Sequence, residues 1–321
     1  MRRSRAARGA GLLRKGLTAL MLCGAAAWAW AQPACTPAPP APGPEQWRTL
    51  QREARDHGLL WRLQKDGRES WLFGTLHVGR PAWSVPGPHL REALARSDLL
   101  ALEIDPADPE LAARLHRATR GALPPQAGLR RRLQAQAVAA CLPADALQAL
   151  PALLQALTLT LLAARQDGLD ASYAQELMLA AAARSRGLRV VALENVEQQA
   201  AALLPDDPVL AAQLLDDALD QLERGRASPV LRRLSEAWSA GDLETLSQYA
   251  QWCECADSPA QRAWLQRIND GRNMALAEGI DALHGQGLRV LAAVGALHMT
   301  GPQALPELLA KRGFKVQRVA F

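Results

Sequence analysis

Short apolar runs alternate with long amphipathic stretches along this chain of 321 residues. Residues 59–64 and 69–76 flank Asp66-Gly67, a dipeptide suited to a two-residue hairpin turn, and so predict a β-hairpin. Four more runs of strand length, rich in Val, Leu and Ala, lie at 99–104, 189–193, 289–294 and 315–319. The intervening segments, about 106–187 and 205–284, are rich in Leu and Ala at helical spacing. The first is broken by prolines at 109, 124, 125, 143 and 151, the second by turn signals at Gly225, Gly241 and Pro259. This order predicts an α/β domain over 46–321, with a central, mostly buried mixed sheet and long helical insertions.

Two of the apolar runs end alike. Gly74-Thr-Leu-His77 and Gly295-Ala-Leu-His298 each precede a helix and another apolar run. Leu90, Glu92, Leu94, Ala95 and Arg96 after the first match Leu305, Glu307, Leu309, Ala310 and Lys311 after the second. The pattern predicts two related strand-turn-helix-strand units around a pseudo-twofold axis, with His77 and His298 in equivalent places. The glycines are expected to allow a tight backbone turn that leaves each imidazole in a crevice. Strand ends of open α/β sheets are where ligands bind.

The chain begins with a basic segment (Arg2, Arg3, Arg5, Arg8, Arg14, Lys15), followed by an apolar run ending in Ala29-Trp-Ala31. This reads as a secretory signal peptide at 1–31, cleaved after Ala31, of a protein exported to the periplasm or secreted. Its removal takes away six basic and no acidic side chains, so the formal charge changes from +5 to −1. The basic character therefore belongs to the leader, and nothing in the rest calls for nucleic acid. No stable membrane insertion is expected after cleavage. Residues 32–45, rich in Pro and Ala, are expected to form a disordered leader. Cys35, Cys141, Cys253 and Cys255 form an even set for an oxidising compartment. Cys253 and Cys255 stand close together, so a bridge from one or both to Cys35 or Cys141 is expected rather than one between them.

Glu103 interrupts an apolar run and needs a partner if buried, either a metal ion or a cationic side chain such as a neighbouring Arg. With two neutral imidazoles it makes a donor set for Mn, Co, Zn or Fe. Glu194 ends another run and suits a general base, a support for a histidine or a helix N-terminal acid. Arg272-Asn273 offers a guanidinium and an amide for an oxyanion, or else a solvated helix face. Asp170 reads as a helix N-cap. No phosphate-binding glycine loop, Gly-x-Ser-x-Gly or His-Glu-x-x-His is present.

Six segments together resemble the TraB/GumN family, which includes the animal Tiki proteins. They are Trp71-Leu-Phe-Gly-Thr-Leu-His-Val78, Leu102-Glu-Ile-Asp105, Gly168-Leu-Asp170, Leu193-Glu-Asn-Val-Glu-Gln198, Arg272-Asn273, and Val294-Gly-Ala-Leu-His298 with Gly301. One departure is Asn195, where the family usually has Thr. The resemblance implies an exported metal-dependent hydrolase, peptidase-like, acting on a peptide or small-molecule substrate. Mn or Co is the implied metal, with Zn or Fe also suited, held by His77, Glu103 and His298. Glu194 or metal-bound water would be the base, and Arg272 or Asn273 would steady the oxyanion. The wider superfamily includes haem-binding ChaN-like and erythromycin-esterase-like proteins. A non-catalytic haem or small-ligand protein and a metal-free hydrolase with a histidine base are therefore alternatives.

Overall fold

The computed structural model describes residues 35–321, so the expectations for the signal peptide, its cleavage and residues 32–34 lie outside the described residues. Six strands form one mixed sheet: β1 (Leu59–Lys65), β2 (Arg68–Thr75), β3 (Leu99–Leu102), β4 (Arg189–Ala192), β5 (Val290–Gly295) and β6 (Lys315–Val319). Their order is β4-β3-β5-β2-β1-β6. β1 is antiparallel to β2 and β6, whereas β2 and β3 each run parallel to β5. Asp66 and Gly67, both with positive φ, make the hairpin turn that joins β1 to β2.

Central position explains which strands are apolar throughout. All five residues from Val290 to Val294 of β5, and all of β3, are fully buried. The outer strands β4 and β6 are largely half-buried or exposed. β4 is thus a partly exposed edge strand despite its apolar Val-Val-Ala run.

The internal repeat has a clear counterpart in topology. From β2 the chain passes through the helix Pro88–Arg96 to β3, on the β4 side of the sheet. From β5 it passes through Leu305–Lys311 to β6, at the opposite edge. The strand order therefore reverses between adjacent parallel strands β2 and β5, the topological switch point at which α/β sheets open a crevice. Both Gly-x-x-His turns lie at the ends of these two strands, where Thr75 pairs with Gly295.

The glycines serve packing rather than an unusual φ. Neither Gly74 nor Gly295 has positive φ. A Cβ on Gly74 would lie 3.2 Å from Ala296 Cα, and one on Gly295 would lie 3.3 Å from Glu103 Oε1. Close approach across the switch point is what excludes larger residues. Gly58 does need its left-handed backbone (φ +88°), and Trp238 packs on its open face. The Trp238 indole N–H donates to the Gly74 carbonyl at 2.7 Å.

Helices cover the sheet and also form a layer beyond it. Ala127–Ala139, Ala152–Ala163 and Pro208–Glu223 enclose a second apolar cluster, including Leu133, Leu153, Leu159, Leu214 and Leu219. Asn195, the departure from the family pattern, caps the helix Val196–Leu203 through a reciprocal pair of bonds with Gln198. Thr is also a capping residue, so the exchange keeps the local structure. Among the described residues no helix is long and apolar enough to cross a membrane.

The disulfides are Cys35–Cys141 and Cys253–Cys255, correcting the expectation that the neighbouring cysteines would avoid each other. Glu254 between them has φ +54°, which turns the backbone and brings the two Cα atoms to 5.1 Å, within bridging range.

Candidate functional site

A cavity of about 350 Å³ lies between the β2–β5 strand ends and the helical layer. Its polar end holds Thr75, His77, Glu103, Arg272 and His298. Four of the six nominated residues, His77, His298, Glu103 and Arg272, thus line one space. Glu194 and Asn273 adjoin it through their bonds to Arg272 and His298.

His298 sits in the short helical turn Ala296–Met299 and is 3% exposed. Its Nδ1 is 2.5 Å from Asn273 Oδ1. The Asn273 amide nitrogen donates to the carbonyls of His298 and Gln303, which fixes Oδ1 as the acceptor. Nδ1 therefore carries the proton, and Nε2 is left with its lone pair, 3.4 Å from Arg272 Nη1 and 3.8 Å from Glu103 Oε1. Burial lowers the His298 pKa to about 4, against the opposing pull of Glu103. At neutral pH this histidine is an uncharged base.

His77 is its repeat mate with the opposite character. Its Nδ1 is 3.1 Å from Glu176 Oε1, a carboxylate that also accepts from the Thr75 hydroxyl at 2.6 Å. The Glu176 charge, outweighing desolvation, raises the His77 pKa to about 9. Burial would raise Glu176, but His77 and Thr75 hold it below the usual carboxylate range. The His77 side chain keeps 61% of its surface accessible, facing the cavity rather than the sheet.

Glu176 is the residue that sequence reasoning missed. It belongs to the helix Gln175–Ser185, which is clamped to the His77 turn from both sides. The Gln175 side-chain carbonyl accepts from the Leu76 N–H, and its backbone N–H donates to the Leu76 carbonyl. Gly79 and Asp170 exchange backbone hydrogen bonds, and Gly79 has no room for a Cβ, which would lie 2.3 Å from the Tyr173 carbonyl. Asp170 caps the Ala171–Tyr173 turn and pairs with Arg165 at 2.6 Å, the structural role expected of it. The available signal was a lone acid at the start of a helix just after Gly-Leu-Asp; spacing alone could not link it to His77.

Glu103, Glu194 and Arg272 form one buried ionic cluster. The guanidinium donates to both carboxylates and to the Ile268 carbonyl, with side-chain exposures of 9%, 5% and 12%. Burial alone would raise Glu103, but His298, Arg272, His77 and the Gly295 N–H bring it down to about 2. Arg272 is raised, its burial more than offset by the two glutamates. A solvated face for Arg272-Asn273 is therefore not what this helix presents: Asn273 is fully buried.

His77, Glu103 and His298 do not fit a metal ion in this arrangement. One Glu103 oxygen accepts the Gly295 N–H at 2.7 Å, and the other accepts from Arg272 and Gln199. The guanidinium holds Glu103 and places its positive charge 3.4 Å from His298 Nε2, where a second cation would be repelled. Among the described residues no group of three or more His, Cys, Asp or Glu side chains is placed to hold an ion. Glu194 likewise faces the guanidinium, and Asn273 supports His298 instead of reaching the cavity.

The model of the TraB/PrgY/gumN family matches residues 59–318, which include every residue of this site. No curated protein and no solved structure matches the chain.

Proposed function

This chain belongs to the TraB/PrgY/gumN family, and on that premise we propose that it is a hydrolase whose two Gly-x-x-His histidines act as base and acid on a carbonyl substrate. One observation carries the reading: equivalent histidines at one cavity have been given opposite protonation preferences by different partners, Asn273 and burial for one, Glu176 for the other. Titratable groups whose environments drive them apart in this way are the usual mark of an acid–base assignment.

In this mechanism the oxygen of a water attacks the carbonyl carbon while His298 Nε2 takes a water proton. The tetrahedral oxygen develops its charge beside protonated His77. When the bond to the leaving oxygen or nitrogen breaks, His77 delivers its Nε2 proton to that atom. Acid and alcohol or amine leave, and solvent returns the proton from His298 to His77. Asn273 and Glu176 are positioning residues that keep each Nδ1 engaged and each Nε2 available. Arg272 holds Glu103 and Glu194 and shields His298 from taking up a proton in the resting state.

Export is part of this reading. It is supported by the basic leader with its apolar run to Ala31, and by the pairing of all four described cysteines as disulfides.

The test is turnover of neutral esters and peptides by the parent, His77→Ala and His298→Ala proteins with chelator present, alongside elemental analysis. Chelator-resistant activity that falls by about 100-fold or more in each variant is expected. One equivalent of Mn or Co in the parent, lost in both variants together with activity, would overturn this in favour of the metal-dependent peptidase implied by the Tiki resemblance.

A further inference from the structure

The site's polar end opens into a cavity whose walls are of a different character. Leu157 and Leu161, one turn apart on Ala152–Ala163, face Leu231 and Leu234 of Ala227–Ser239 and Trp264 and Ile268 of Pro259–Ile268 across it. The polar side chains in these walls are largely engaged with protein. Asp217 and Gln261 bond to each other at 2.7 Å, Gln221 donates to the Glu254 carbonyl, and Thr160 donates to the Ala156 carbonyl. Among the described residues, Tyr249 and Asn269 are the wall residues with a polar side chain that makes no side-chain hydrogen bond.

From this contrast we infer that the substrate is a neutral ester with a single flexible alkyl chain, the chain lying among the helices and the ester carbonyl at the histidines. The inference rests on the hydrolase reading above.

Three features select this chemistry. A peptide running into the cavity would bury more N–H and C=O groups than Tyr249 and Asn269 can pair, at a cost for each one left over; an alkyl chain brings none. Among the described residues the cavity is lined by one arginine and no lysine, and that arginine is neutralised by Glu103 and Glu194, so a phosphate or carboxylate finds no free guanidinium or ammonium among them. The carboxylates of Glu103, Glu176 and Glu194 outnumber the cations Arg272 and His77, so a carboxylic acid product is repelled once it ionises. Hydrolysis consumes one water, breaks the bond between acyl carbon and alcohol oxygen, and yields the acid and the alcohol. The neutral ester is held and the anionic product is released.

The experiment compares p-nitrophenyl acetate, butyrate, hexanoate and octanoate with the full chain, and repeats the series with Leu157→Trp and Leu161→Trp. Both leucines are only partly buried and border the cavity, so added bulk fills the space the chain would take. kcat/KM should rise by about fourfold per methylene. The tryptophan variants should lose about tenfold or more on octanoate while keeping acetate turnover within about twofold. His298-dependent hydrolysis that is flat with chain length would overturn the inference and leave the hydrolase reading standing. So would a preference for an apolar peptide amide over octanoate.

If no ester is hydrolysed, displacement of bound Nile red by 1-alkanols from butanol to decanol separates the two readings. Affinity that grows with chain length and is lost in Leu157→Trp supports the alkyl cavity although the chemistry has failed. Absence of displacement overturns it.

Discussion

Replacing Arg272 by Met removes the cation from between two buried carboxylates while keeping a long apolar stem. Glu103 and Glu194 then stand with side chains 9% and 5% exposed and lose their shared partner. Breaking a buried pair in this way costs ~3–5 kcal/mol. The folded variant can relieve the strain by keeping a proton on one carboxylate. From the ordinary value of 4.5, that proton costs ~3.4 kcal/mol at pH 7 and ~0.7 kcal/mol at pH 5, at about 1.36 kcal/mol per unit. The sign follows from linkage: above pH 4.5 the folded variant binds a proton that the unfolded chain does not, so its deficit grows with rising pH. Urea unfolding of parent and variant at both pH values, with chelator present, reads the difference directly. The variant should be less stable by roughly 3–4 kcal/mol at pH 7, with the gap narrowing by about 2.7 kcal/mol at pH 5. A gap that is the same at both pH values, or below about 1 kcal/mol at pH 7, would refute a buried ion pair shared by Arg272, Glu103 and Glu194.

Hydrolytic kcat/KM should rise as His298 loses its proton near pH 4 and fall as His77 loses its proton near pH 9, giving a broad plateau between. Glu176→Gln removes the chief cause of the raised His77 pKa and should move only the alkaline limb, to lower pH; an unmoved limb would take His77 out of the acid role. His298 also carries a stability signature: its folded pKa lies below the ordinary 6.5, so acidification from pH 6.5 toward 4 should cost up to ~3 kcal/mol, a slope absent in His298→Asn. Cys35→Ser opens a loop of 106 residues and should lower unfolding free energy by about 2–5 kcal/mol, measured in denaturant against the oxidised parent. Gly58→Ala forces a Cβ to within 2.7 Å of Trp238 at φ +88° and should lower Tm measurably; an unchanged Tm would mean that the indole moves freely.

Much of the sheet and its site was legible because periodicity and repetition record them in order along the chain. Asp66-Gly67 between alternating arms gave the hairpin, and the two Gly-x-x-His turns pointed to a pair of equivalent strand ends. The matched helices after them foretold the paired connections to β3 and β6. The pairing of Glu103 with an arginine was one of two options that burial demanded, and the structure selects Arg272. What stayed hidden depends on contacts between distant residues. Glu176 reaches His77 only because Gly79 lets residues 170–175 lie against the turn. The edge position of β4 follows from strand order, which its Val-Val-Ala run does not encode. The Cys253–Cys255 bridge needed a left-handed Glu254, a conformation that no residue between them advertised.

The place of β5 has a further consequence for how the molecule comes to exist. It is the strand that joins β3 and β4 to the β1–β2 hairpin, yet it begins at residue 290 of 321. Until that strand arrives, the two parts of the sheet have no bond between them, and the apolar residues of β2 and β3 have open edges. The sheet is therefore completed through pairings between strands distant in sequence, as between Leu72 and Ala292 or Leu99 and Val290. Such distant pairings make for slow acquisition of the native state. A chain that has not yet gained β5 is correspondingly left with its sheet in two unjoined parts.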